Sequence, residues 1–237
     1  MTIRDNTFTS PSNLNTSPLY NAAVNWSVKL QNRLPGVTTA SVSNNRMMDQ
    51  LKGIYLNGCE ETDINANFIQ LRGAGSTTRQ YGIWLVNSSN CTVTDDSVVT
   101  TSPVTDPTLA RGIRFESSTG CSIRNNYLLN LGSGINGLNF CDLTSLCGND
   151  LWNCARGLDV FNITIPQQGD VNAPQDNMWR NMPLANRTVG STAVSSRILF
   201  YHRYTQNDPN NKFSPGTNLI IQSFSNTTGL SPCNVLD

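Results

Sequence analysis

The chain has 237 residues and no net charge, with 16 Lys and Arg against 16 Asp and Glu. That length holds one substantial domain. The even balance argues against nucleic acid or an anionic membrane as the main partner, since both attract a basic patch. Only 14% of residues are charged, below the roughly 25% of an ordinary soluble domain.

Asn, Ser and Thr take the place of the missing charge, which suits the turns and solvent-facing strands of a β-rich protein outside the cell. No stretch approaches the roughly 18 apolar residues of a membrane span. The opening MTIRDNTFTS lacks the apolar segment of a signal peptide. Secretion or cell-surface display is therefore expected to rest on a signal upstream.

In chain order the elements repeat. IRDNTF (3–8) matches IRNNYL (123–128), so the chain is expected to begin partway through a unit. AAVNW (22–26) reads as the next first strand, with Val24 inward and Asn25 outward, followed by an insertion around KLQNRLPG. VTTASVSNNRMM (37–48) completes that unit. The pattern is then explicit in GIYLNGCEETDINANFI (53–69), GIWLVNSSNCTVTDDSVV (82–99) and GIRFESSTGCSIRNNYLL (112–129). GINGLNFCDLTSLCGNDLW (134–152) and GLDVF (157–161) are degenerate copies.

The leading glycines fall at 53, 82, 112, 134 and 157, in steps of 29, 30, 22 and 23. The short steps set a basic unit of about 22 residues, and the long ones carry extra loops around 72–80 and 102–110.

Apolar residues alternate in each unit, as on one face of a strand. Strands this short cannot bury that face alone. Stacking unit on unit, about 4.8 Å apart, gives Val24, Ile54, Ile83, Ile113 and Leu158 apolar neighbours above and below. A second column is Val42, Ile64, Val93, Ile123 and Leu146. A third starts near Met47, Ile69, Val98, Leu128 and Leu151. Between the second and third strands stands a polar column of Asn6, Asn45, Asn67, Asp96, Asn126 and Asn149. Amides at one aligned position are expected to hydrogen-bond along a ladder, with Asn taking the left-handed backbone of a sharp bend.

The pattern G-I-x-L, turn, x-I-x-x-N-x-I resembles the coil repeat of pectate-lyase-like right-handed β-helix proteins. It covers residues 1–162. The resemblance implies an all-β, right-handed parallel β-helix of about 22-residue coils, with 163–237 as an irregular, β-containing cap. In the tail, strands are expected near Ile198–Tyr204 and in NLIIQSF (218–224). The segments Asn-Met-Trp, FYHRYT, SPGTNL and Cys233 are similar to the post-helix region of secreted Bacteroidetes β-helix proteins, which often continue into a sorting domain. Physically, such a tail would cover the open end of the helix.

The seven cysteines are Cys59, Cys91, Cys121, Cys141, Cys147, Cys154 and Cys233. Cys91 and Cys121 lie two before Val93 and Ile123, on the inward face, where a thiol acts as a small hydrophobe. Cys59 and Cys141 are also expected in the core. One disulfide involving Cys147, Cys154 or Cys233 stays open, and no CxxC pair points to a metal.

The x of Gly-Ile-x-Leu faces outward, and in this fold that face commonly forms a carbohydrate cleft. Coil by coil it is Asn25, Tyr55, Trp84, Arg114, Asn136 and Asp159. Tyr55, Trp84, Arg114, Asn136 and Asp159 are the candidate glycan contacts, with rings for sugar faces and polar groups for hydroxyls or carboxylates. The competing reading is that the rings merely pack beneath the two long loops.

Arg114 and Asp159 are the candidates for lyase-type chemistry, but they lie two coils apart without an acidic cluster. The lone His202 lies in the tail, in Tyr-His-Arg. The expectation is a non-catalytic secreted or cell-surface module that binds polysaccharide or surface glycan, or acts as adhesin or spacer, with no cofactor or metal. The alternative is a fragment of a polysaccharide lyase or glycoside hydrolase acting on acidic polysaccharide.

Overall fold

Each repeat folds as one coil of three short strands. A computed structural model describes residues 1–9, 26–33, 40–164, 177–180, 187–191, 196–202 and 219–225. Among these run 21 strands, numbered β1 to β21 in chain order, and no helix. Gly-Ile-x-Leu forms the first strand of a coil in β6 (Lys52–Cys59), β9 (Gln80–Val86), β12 (Ala110–Glu116), the front of β15 (Ser133–Cys147) and β17 (Arg156–Thr164).

The second strand is β7 (Thr62–Asn65), β10 (Thr92–Thr94), β13 (Thr119–Arg124) and the back of β15. The third is β8 (Phe68–Leu71), β11 (Ser97–Thr100), β14 (Tyr127–Leu129) and β16 (Asp150–Trp152). All pairing is parallel and joins equivalent strands of neighbouring coils, which makes the fold a right-handed parallel β-helix. Because β15 runs unbroken from first to second position, those two sheets join into one of 12 strands.

The apolar columns are inside as the repeat requires. Ile54, Ile83, Ile113, Ile135 and Leu158 stack in the first, and Val42, Ile64, Val93, Ile123 and Leu146 in the second. The third holds Met47, Ile69, Val98, Leu128 and Leu151. None of these side chains is more than 1% exposed.

The leading glycine has a steric cause. A Cβ on Gly112 would lie 2.5 Å from the carbonyl oxygen of Gly134 and 2.7 Å from Leu131 Cδ1. A Cβ on Gly82 would lie 2.6 Å from the carbonyl of Gly112 and 2.5 Å from Val98 Cγ1. The corner between third and first strands therefore admits no side chain.

One strand is shifted from its expected place. The first strand of the early coil is β3 (Val28–Arg33), within the segment read as an insertion. Val28, not Val24, stacks on Ile54, and Lys29, not Asn25, pairs with Tyr55. That coil has no leading Gly-Ile, so Val28 and Leu30 alone carry its alternation. Residues 10–25 lie outside the described residues.

The polar column is a hydrogen-bonded ladder. Asn6 Nδ2 donates to Asn45 Oδ1 at 3.0 Å, Asn45 Nδ2 to Asn67 Oδ1 at 2.9 Å, and Asn126 Nδ2 to Asn149 Oδ1 at 2.9 Å. The backbone N–H of each residue donates to the same oxygen. A seventh rung, Asn177, extends it beyond Asn149.

The backbone expectation needs correction. The left-handed residues are those just before the ladder: Asp5, Asn44, Ala66, Asp95, Asn125 and Gly148, with φ between 54° and 64°. They make the bend, which turns the following amide inward.

A second, shorter ladder was not foreseen. At the turn between first and second strands, Cys59 N–H donates to Ser88 Oγ (3.2 Å) and Ser88 N–H to Ser118 Oγ (3.2 Å). Ser118 N–H donates in turn to Cys141 Sγ (3.5 Å). Cys59, Cys91, Cys121, Cys141 and Cys154 are buried cysteines, and Cys147 is disulfide-bonded.

Parallel stacking continues past residue 162. β18 (Met178–Arg180) pairs with β16, and β19 (Arg187–Ser191) with β17. β20 (Ser196–His202) and β21 (Leu219–Ser225) form a separate parallel pair, close to the two tail strands expected from the sequence.

Candidate functional site

The outer face of the first-strand sheet carries the expected row in register. Lys29, Tyr55, Trp84, Arg114, Asn136 and Asp159 pair one after another through five coil steps. Beside it runs a second row that repeat reading missed: Lys52, Tyr81, Arg111, Ser133 and Arg156. These residues immediately precede the leading glycines. The signal was present as a polar or aromatic residue before every Gly.

The aromatic end is a packed cluster. Trp26 stacks on Tyr55 with centroids 4.9 Å apart, and Tyr81 on Trp84 at 4.6 Å. Tyr55 meets Trp84 edge-on at 5.6 Å. Cations cover further ring faces. Arg114 lies 4.8 Å from the Trp84 centroid, Arg111 5.7 Å from Tyr81 and Lys52 5.4 Å from Trp26. Burial holds the Lys52 ammonium below its ordinary pKa and pushes the Tyr55 phenol up, with Glu116 adding to the latter.

Toward the later coils the face becomes polar. Arg114 Nη2 pairs with Glu116 Oε2 at 2.9 Å, and Asn139 Nδ2 donates to Glu116 Oε1 at 3.2 Å. Asp159 is held by Arg156 at 2.7 Å and by Asn136 Nδ2 at 3.3 Å. Arg114 and Asp159 are thus engaged with different neighbours, and Asn136 stands between them in the row.

Several buried polar atoms here have no hydrogen-bond partner: Trp84 Nε1, Arg111 Nε, Arg114 Nε, Ser133 Oγ and Asn136 Oδ1. Four are donors and one is an acceptor. They lie on three consecutive first strands, β9, β12 and β15. The Arg111 guanidinium is pushed below its ordinary pKa by burial and then by the neighbouring Arg114 and Arg79 cations.

The model of one protein family, NosD, described as "Periplasmic copper-binding protein (NosD)", matches residues 12–229. The chain belongs to the NosD family. The periplasmic setting of NosD proteins agrees, in the coarse sense, with the expected export, and the family supports a periplasmic β-helix module. No curated protein and no solved structure matches the chain.

The copper of the NosD description can be tested against donor chemistry. Among the described residues no three His, Cys, Asp or Glu side chains are grouped to share a metal ion. Cys59, Cys91, Cys121, Cys141 and Cys154 face the interior. Cys91 Sγ and Cys121 Sγ reach the carbonyl oxygens of Ser89 and Thr119 at 3.3 and 3.6 Å. These donors do not fit a copper site. The His202 side chain lies outside the described residues.

Proposed function

We propose that this chain is a non-catalytic, exported β-helix module that binds a glycan along the outer face of its first-strand sheet. The carrying observation is the set of buried, unpartnered polar atoms on Trp84, Arg111, Arg114, Ser133 and Asn136. Buried polar groups are normally hydrogen-bonded, and a cluster of exceptions on one face calls for an outside partner. Sugar hydroxyls both donate and accept, so they suit four donors beside one acceptor.

The contacts of Arg114 and Asp159 support the reading without turnover. A lyase base needs an uncommitted nitrogen near a carboxylate-held cation, whereas Arg114 is paired with Glu116 and stacked on Trp84. Asp159 is taken by Arg156 and Asn136.

The test is a glycan array or affinity electrophoresis on wild type and on Tyr55→Ala/Trp84→Ala, beside an assay for unsaturated sugar products. Binding weakened in the double variant, without product, is the expected result. Product that disappears in Arg114→Ala would replace the proposal with a lyase. Neither binding nor product would leave a spacer or adhesin, with the rings serving to pack the face.

A further inference from the structure

Arg111 is a buried charge on this face without an ion-paired carboxylate among the described residues. Its side chain stands in the middle of the second outer row, and the residue is only 9% exposed. It donates from Nη1 to Tyr81 Oη at 3.3 Å and lies 5.7 Å from the centroid of the Tyr81 ring. No carboxylate lies within ion-pair distance of it among the described residues. The four ion pairs there join Arg4, Arg72, Arg114 and Arg156 to other acids.

A second guanidinium, Arg114, lies three residues on in the same strand and repels it. Arg111 Nε and Arg114 Nε are both buried and unpartnered. Ser133, fully buried, sits directly across from Arg111 in the next coil, and its Oγ is also unpartnered. A buried charge without a counter-charge is strongly unfavourable. One such cation, Arg111, with the Glu116-paired Arg114 beside it and three idle donors, describes a site whose missing component is an anion with several acceptor oxygens.

We infer that the outer face binds an oxyanion, a carboxylate or sulfate group, against Arg111, Arg114 and Ser133. The group is planar or tetrahedral and meets the Arg111 and Arg114 guanidinium groups, with the Ser133 hydroxyl across from Arg111. Glu116 neutralises Arg114 from one side, so the site carries about one unmatched positive charge, sized for a monoanionic group. Within the glycan proposal that group is the carboxylate or sulfate of an acidic sugar, with its ring laid toward Trp84. The sugar half rests on that proposal, and the oxyanion site itself does not.

Calorimetric titration of the full chain tests this with sodium sulfate, sodium glucuronate, a hexuronate oligosaccharide and a neutral hexaose at matched ionic strength. Wild type should bind the oxyanions, and Arg111→Met should bind them about tenfold more weakly or worse, with part of the affinity kept in Arg111→Lys. Melting in chloride buffer separates binding from folding. Arg111→Met should melt no lower than wild type, because it removes an uncompensated buried charge and keeps the volume.

Equal oxyanion affinity in Arg111→Met, or no oxyanion binding by wild type, overturns the inference. Tighter binding of the hexuronate than of sulfate identifies an acidic glycan as the source. Sulfate bound while every sugar fails upholds the oxyanion site and defeats the glycan reading. A neutral hexaose bound alike by wild type and Arg111→Met, with no oxyanion bound, does the reverse.

Discussion

The bend ladder and the outer face both bury polar groups, but they satisfy them in opposite ways. In the ladder every coil but that of Asp96 repeats one amide, and each amide feeds the next rung, so satisfaction comes from repetition inside the molecule. Along the central outer row no two coils share a residue. Lys29, Tyr55, Trp84, Arg114, Asn136 and Asp159 change chemistry at each step, and partners run short. Repetition builds the fold, and departure from it falls on the face proposed to bind.

The strongest way to break the comparison is Asn126→Leu. Asn126 Oδ1 accepts from Asp96 N–H, and Asn126 Nδ2 donates to the Val93 carbonyl and to Asn149 Oδ1. Leucine orphans the Asp96 N–H and takes the Asn126 amide from the Val93 carbonyl. The expected loss is about 2–4 kcal/mol, from one orphaned buried donor at roughly 1–3 kcal/mol plus the lost bonds. Urea unfolding measures it. A loss below about 1 kcal/mol would mean that the ladder does not hold the bend.

The one rung that departs from the repeat sharpens the contrast. Asp96 accepts from Asn67 N–H and Nδ2 through Oδ1, but its Oδ2 is buried and unpartnered. In Asn67 the corresponding side-chain atom is a donor, Nδ2, which reaches the carbonyl of Val42 and the next rung's Oδ1, so the repeat expects a donor where Asp96 carries Oδ2. A protonated Asp96 carries that donor. Burial accordingly pushes its pKa from 3.8 to about 7, against the pull of the Asn67 hydrogen bonds.

The folded pKa is raised, so this rung's stability is fully present below about pH 4 and is lost as pH rises through about 7. Asp96→Asn restores the missing donor. It should raise stability by roughly 2–4 kcal/mol at pH 8 and flatten the profile between pH 4 and 7. Parallel melting curves across that range decide it. An unchanged slope in the variant would show that Asp96 is solvated or ionised throughout.

How much of this was legible in the sequence follows the same division. Inward columns, ladder members and the three-strand coil could be read because a residue type recurs at fixed spacing. The first strand of the early coil was missed where Gly-Ile gives way to Ser27-Val28 and the signature lapses. Asn177 was missed because it stands 28 residues after Asn149, beyond the last clear repeat.

The left-handed residue was placed one position late. Asp5, Asn44, Ala66, Asp95, Asn125 and Gly148 share only backbone strain, not a side-chain type. On the outer face, Tyr55 and Trp84 were correctly set on adjacent coils, but Trp26 stacking from the preceding coil left no trace in the repeat. The row of Lys52, Tyr81, Arg111, Ser133 and Arg156 escaped because strict alternation assigns no outward residue there. The close corner at each glycine supplies one.

The smallest expected change concerns Glu116, the residue that brings the outer face nearest to internal satisfaction. Its two oxygens take Arg114 Nη2 at 2.9 Å and Asn139 Nδ2 at 3.2 Å. The Glu116 side chain is 24% exposed, so the pair lies near solvent and is worth about 1 kcal/mol or less. Glu116→Gln keeps the shape and an acceptor for Asn139, so the melting temperature should move by only a few degrees. The same change removes the negative charge competing for Arg114. Affinity for sulfate or glucuronate should therefore rise, by about threefold to tenfold, in a salt-sensitive manner. Titration at low and high ionic strength reads both parts. Affinity that falls instead would place Glu116 among the ligand's contacts, and the polar end of the face would then need a cationic or hydroxyl partner on that side.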